Sequence, residues 1–174
     1  MEKISLKKIT FAAIFAALIA VMTAFIKMPT GINDGYLHFG DSMIYLAGCL
    51  LGPYAAASAA IGGALADILA GAAVWAIPTA IIKLCNSIPF VIATFLYVKR
   101  KNKHRIIHLS TILTTLASGL ITIFGYLLAE GIMYSFPSAL TSVPFSIIQA
   151  TGSAIVFILV GLALDAVKIQ KYLK

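Results

Sequence analysis

The chain has 174 residues, of which 61% are hydrophobic and only 11% charged, with a formal net charge of +7 and a mean hydropathy of +1.01. An ordinary soluble domain carries about 25% charged residues, so the composition excludes one and predicts an all-α membrane protein, a single integral membrane domain over residues 1–174. At about 20 apolar residues per crossing of a hydrocarbon core of about 30 Å, this length accommodates about six transmembrane helices.

Lys3, Lys7 and Lys8 precede an unbroken apolar run from Ile9 to Ile26. A secretory signal has a shorter apolar core and a small-residue cleavage site, so the run is read as helix 1, about 9–26. Ala12, Ala16 and Ala20 recur every four residues, with Ala13 and Ala17 beside them. Such small-xxx-small ridges let a second helix approach closely within a membrane.

From Lys27 to Gly40 the chain is polar and rich in Gly, Pro and Asn, and is read as a loop; Asp41 stands where an N-cap would open helix 2, about 41–51. Gly52-Pro53 is the natural break before helix 3, about 54–70, because proline cannot continue a helix beyond its first turn. A short connection, Gly71 to Ile77, leads to Pro78, a favoured opening residue for helix 4, about 78–98, with a kink expected at Pro89. The basic loop KRKNKHR, Lys99 to Arg105, then leads to helix 5, about 107–133. A loop from Tyr134 to Pro144 precedes helix 6, about 145–167, and the chain ends in Lys168, Lys171 and Lys174.

Eleven of the thirteen Lys and Arg residues fall at the two ends of the chain and in the basic loop. By the positive-inside rule both termini and that loop are cytoplasmic. The loops at 27–40, 71–77 and 134–144 then face outward, and the polar and aromatic residues near them gather on the outer side. The basic runs read as topology signals, so no nucleic-acid partner is expected.

No phosphate-binding loop, zinc-binding helix or nucleophile elbow occurs, so the chain is expected to be neither an enzyme nor a user of ATP by itself. Cys49 and Cys85 sit in apolar runs without metal or redox spacing. No catalytic residue, metal or cofactor is expected, and His38 with Asp41 reads as a helix cap and its neighbour. Polar residues inside apolar helices are costly and mark functional sites. The candidates for a substrate site are Asp67, Lys83, Asn86, Glu130 and Gln149, with Lys83 and Asn86 on one helix face. Tyr36, His38, Trp75, Tyr126 and Tyr134 join them as groups able to stack on or hydrogen-bond a flat ring. The competing reading makes Asp67 and Lys83 a structural ion pair and the aromatic residues interfacial anchors.

Several features together carry a resemblance: the alanine ridge of helix 1, the loop G-Y-L-H-F-G-D-S, the turn L-L-G-P-Y, the segment from Gly62 to Gly71 with A-L-A-D inside it, and P-T-A-I-I-K at Pro78 to Lys83. Over essentially its whole length the chain resembles the substrate-binding S component of an energy-coupling factor (ECF) vitamin transporter, and within it the hydroxymethylpyrimidine and pyridoxine branch. The resemblance implies a multi-pass protein of the bacterial plasma membrane that captures a small aromatic vitamin or precursor from outside. A transmembrane T component and two ATPase subunits would supply the energy. It further implies that Ala12, Ala16 and Ala20 meet the T component. The alternatives are another vitamin such as riboflavin, or a proton-coupled secondary transporter using Asp67 or Glu130. Secondary transporters commonly carry internal repeats, and residues 1–98 and 99–174 show no convincing similarity.

Overall fold

A computed structural model describes residues 6–33, 35–101 and 105–169. Six helices follow in chain order: α1 (Leu6–Ala24), α2 (Gly40–Leu51), α3 (Tyr54–Leu69), α4 (Ala76–Lys101), α5 (Leu109–Met133) and α6 (Phe136–Ala166), with a 3-10 turn at Ala73–Trp75 before α4. Four of them, α1, α4, α5 and α6, are long and apolar enough to cross a membrane. With 12 and 16 residues, α2 and α3 reach only about 18 and 24 Å, less than the hydrocarbon core of about 30 Å. Gly52 ends α2 at φ 59 and Pro53 opens α3, so the expected break is where the chain turns.

Three expectations change. The 27–40 segment is not a plain loop, because Lys27–Pro29 (β1) and Tyr36–His38 (β2) pair antiparallel, Lys27 opposite His38. Strands of three residues are too short to show a period of two in sequence. Helix α4 runs on to Lys101, so Lys99 and Arg100 lie in its last turn rather than in a loop; Lys103 falls outside the described residues. The segment 134–144 is helical: Ser135 caps α6 by accepting from the Ser138 N–H, Pro137 sits in its first turn, and Pro144 lies inside the helix. A run of Ser, Thr and Pro reads as a loop until the cap is recognised.

Helix α3 packs between α1 and α4, α5 between α4 and α6, and α2 threads the centre against α1, α4 and α6. Two adjacent glycines serve both sides of α3. A Cβ on Gly62 would come to 2.6 Å from the Ala16 carbonyl of α1, and one on Gly63 to 3.0 Å from Cγ of Lys83 on α4. Ser58 also donates to the Ala12 carbonyl at 2.8 Å. Ala16 and Ala20 are buried. The ridge Ala12, Ala16 and Ala20 is therefore turned inward onto α3, and Ala13 and Ala17 are the exposed pair of α1. A repeat of four identifies a close-packing stripe without saying which side of the helix meets its own protein.

At the centre, Tyr45 of α2, Phe90 of α4 and Phe157 of α6 are fully buried. Tyr45 stacks on Phe90 with ring centroids 4.5 Å apart, and Phe157 meets Phe90 edge-on at 5.0 Å. Gly48 makes this possible, because a Cβ there would lie 2.6 Å from Cβ of Phe90.

Candidate functional site

The first turn of α2, strand β2, the end of α3, the start of α4, the end of α5 and the first turns of α6 converge at one end of the bundle. Between them is a cavity with about 540 Å³ of empty space, counting its open mouth. Tyr36, His38, Asp67, Trp75, Tyr126, Glu130 and Gln149, seven of the ten substrate-site candidates, line it.

Beneath the floor lies an ion pair. Lys83 Nζ donates to Asp41 Oδ1 at 2.6 Å, with the two side chains 1% and 0% exposed. Gln149 Nε2 donates to the other carboxylate oxygen at 3.2 Å. The Lys83 ammonium also lies 5.1 Å from the centroid of the Tyr126 ring, close enough for a cation–π contact. Buried charges persist only when paired and hydrogen-bonded, and here both conditions hold. Asp41 is thus no helix cap: Phe39 occupies the cap position without a side-chain bond. The ion pair expected between Lys83 and Asp67 is formed by Asp41 instead. Beside it, His38 accepts from the Gly40 N–H through Nδ1 at 3.1 Å. Burial, reinforced by the nearby Lys83 cation, pushes the pKa of His38 down to about 3, so the imidazole is neutral.

One wall joins Tyr36 to Asp67, the phenol O–H donating to the carboxylate. Burial first, and this bond second, raise the Tyr36 pKa well above its ordinary value, so the phenol keeps its proton. Lys27 rests 5.0 Å from the Tyr36 ring centroid while its Nζ donates to the Ala70 carbonyl at 3.0 Å. The opposite wall is aromatic: Trp75 is stacked on Tyr134 at 6.1 Å and tilted against Tyr126 at 6.0 Å. The Tyr126 hydroxyl shares a 3.3 Å hydrogen bond with Thr79. At the mouth, Asn33 donates to Glu130 Oε2 at 2.6 Å and accepts from the Ser138 hydroxyl at 2.7 Å. The hairpin loop is thereby tied to α5 and α6.

Three buried polar atoms on the cavity wall, Asp67 Oδ2, Trp75 Nε1 and Ser142 Oγ, have no hydrogen-bond partner among the described residues. Leaving such groups unmatched costs about 1–3 kcal/mol each, and together they offer the cavity both donors and acceptors.

The other three candidates lie outside this wall. Lys83 is beneath the floor. Asn86, one turn deeper, donates through Nδ2 to Thr122 Oγ1 at 3.1 Å and accepts the Ser118 hydroxyl on its backbone carbonyl at 2.9 Å, which makes it a link between α4 and α5. Tyr134 stands behind Trp75 and borders a second, outward-opening cleft shared with Lys27 and Asn33. Residues not expected at the site are Asp41, Thr30, Thr79, Ser142, Phe145 and Ser146. The last three follow helical spacing on α6; Ser142 fell in the segment read as a loop, whereas Phe145 and Ser146 stood in the expected helix 6 without a feature that marked them.

Among known proteins, the profile described as "ECF-type riboflavin transporter, S component" matches residues 3–166. A protein of Pyrococcus woesei described as "Uncharacterized protein in gap 3'region" is 31% identical over 139 residues, covering 79% of this chain and 88% of its own length.

Proposed function

Because the chain belongs to the ECF-type riboflavin transporter S component family, a family of multi-pass membrane transport subunits and not a class of enzyme, we propose that its cavity captures a flat heteroaromatic vitamin that is neutral or cationic. One observation carries this reading. The cavity wall holds two carboxylates, Asp67 and Glu130, a neutral His38 and the aromatic rings of Tyr36, Trp75, Tyr126 and Phe145, but no lysine or arginine among the described residues. Lys83, the cation nearest the floor, is already matched by Asp41. An anionic vitamin entering here would meet like charge without a counter-ion, which costs affinity directly.

Riboflavin is the first candidate, since it is the substrate in the family's name, and its uncharged fused rings and hydroxylated tail suit a wall of aromatic and hydroxyl groups. A second reading, hydroxymethylpyrimidine or pyridoxine, draws on the half-partnered carboxylate of Asp67, which would hold a protonatable ring nitrogen. In either reading the mouth faces outward and both termini lie in the cytoplasm of a bacterial cell, as the Lys and Arg distribution favours. Energy would come from a T component and two ATPase subunits. With Ala12, Ala16 and Ala20 committed to α3, the surface offered to the T component moves to the exposed pair Ala13 and Ala17.

Calorimetry on the solitary protein with riboflavin, pyridoxine, hydroxymethylpyrimidine, folate and biotin, paired with uptake by the assembled transporter, tests both parts. One of the first three should bind without ATP, while folate and biotin stay silent. Ala13→Trp should keep that binding and lose uptake. Heat from folate or biotin alone, or from none of the five, overturns the substrate reading; normal uptake by Ala13→Trp overturns the partner surface.

A further inference from the structure

At the end of the bundle opposite the cavity, α4 finishes and α5 begins, and a groove opens between them. Ala93, Leu96, Leu109 and Leu113 wall it, Arg100 and His108 stand at its rim, and about 910 Å³ of empty space lies along its open side. Leu96, Leu109 and Leu113 are 55%, 73% and 56% exposed. With 26 and 25 residues, α4 and α5 extend about 39 and 37 Å, beyond a hydrocarbon core of about 30 Å. Their ends, and the rim of the groove, therefore reach headgroup level.

The rim is chemically specific. His108 lies flat on Tyr97, ring centroids 3.7 Å apart, and caps α5 by accepting the Thr111 N–H at Nδ1. Ser110 Oγ is 2.6 Å from the same nitrogen and completes its acceptor role. The ring proton is thereby placed on Nε2, a buried donor with no partner among the described residues. Lys99, Arg100 and Arg105 are exposed at this end. The carboxylate nearby, Asp165, has both oxygens taken by the Ile106 and Ile107 N–H groups at 2.8 and 2.9 Å. The amino end of α5 adds its own partial positive charge.

An apolar groove below the interface and a rim of exposed cations together fit a lipid. We propose that the groove binds a phospholipid with an anionic headgroup, one acyl chain lying along Leu96, Leu109 and Leu113 and the phosphate meeting the exposed Arg100 guanidinium at the rim. Basic pockets between transmembrane helices at the interface bind acidic lipids in this way, and guanidinium–phosphate bonds are among the stronger charge-assisted contacts. The inference is independent of which vitamin fills the cavity at the other end.

The detergent-purified protein is mixed with equal amounts of phosphatidylglycerol and phosphatidylcholine carrying the same acyl chains, and the retained lipid is read by native mass spectrometry. Glycerol 1-phosphate serves as the soluble-anion arm. The wild-type protein should retain phosphatidylglycerol several-fold over phosphatidylcholine, and glycerol 1-phosphate should not displace it. Arg100→Gln should remove the preference, and Leu113→Trp should reduce retention of both lipids. Leu96→Ser provides a second groove variant if the tryptophan does not fold, and vitamin binding reports folding in every case. Equal retention by the wild type, an unchanged preference in Arg100→Gln, or displacement by glycerol 1-phosphate would each overturn the proposal. So would an unchanged lipid profile in Arg100→Gln together with loss of co-purifying transporter subunits, because a protein would then cover the groove.

Discussion

Helices α2, α4 and α6 each contribute to two layers of opposite character. In the layer under the cavity they place Asp41, Lys83 and Gln149, three polar groups bonded to one another. Deeper along the same helices they place Tyr45, Phe90 and Phe157, three rings packed face and edge. Both layers are buried, yet they are held by different physics. The aromatic layer gains from apolar area removed from water or lipid and from ring geometry, a non-specific attraction made specific by shape. The polar layer gains little net stability, because desolvation offsets most of the ion-pair attraction, but it fails badly when half is removed. One layer fixes where the helices sit; the other fixes the charge beneath the cavity.

Removing one ring is the strongest way to break this contrast. Phe157→Ala should destabilise the protein by about 3–5 kcal/mol through lost burial and the cavity left behind, read as a lowered thermal midpoint in detergent. Vitamin affinity of the fraction still folded should change little. A large affinity loss with an unchanged midpoint would show that the layers are not separable.

A comparable loss should come from Lys83→Met alone, about 3–5 kcal/mol, because Asp41 is left as an uncompensated buried carboxylate. The double variant Asp41→Leu with Lys83→Met should recover most of that stability while losing vitamin binding, since the floor is then uncharged and Gln149 has lost its acceptor. Recovery of binding along with stability would mean that the pair serves packing only.

The smallest effect is a pH dependence. His38 is neutral in the folded state with a pKa near 3, whereas an unfolded histidine titrates near 6.5. Between these values only the unfolded chain takes up the proton, so the contribution of His38 is complete above about pH 6.5 and declines as pH falls toward 3. From pH 7 to 5.5 the loss should be about 1.4 kcal/mol. Thermal midpoints of the wild type and His38→Gln across that interval should differ in slope, the variant being flatter; equal slopes would place the titrating group elsewhere.

The contrast also explains what the chain made legible. Helix existence followed from long apolar runs, and the α2–α3 turn from Gly52 and Pro53, because these are local properties. Polar residues in apolar helices pointed to the end of the molecule that holds the cavity: Asp67, Glu130 and Gln149 reach its wall. Partners were not legible. Asp41 is 42 residues from Lys83 and looked like a cap, since a carboxylate opening a helix is ordinarily explained by its own first turn. Asn86 looked like a ligand contact and is a helix-to-helix bond. The start of α6 was hidden because a Ser-capped, Pro-containing first turn has the composition of a loop, and Ser142 was hidden with it.

The aromatic layer has one more consequence. Three interlocked rings leave no room for a file of water molecules between Lys83 and the far end of the bundle, so the helices form a cul-de-sac rather than a conduit. An idle copy of such a body should not leak protons or ions down a gradient. Under the proposed function, cargo seated in the cavity would have this layer beneath it and would leave by the mouth through which it entered.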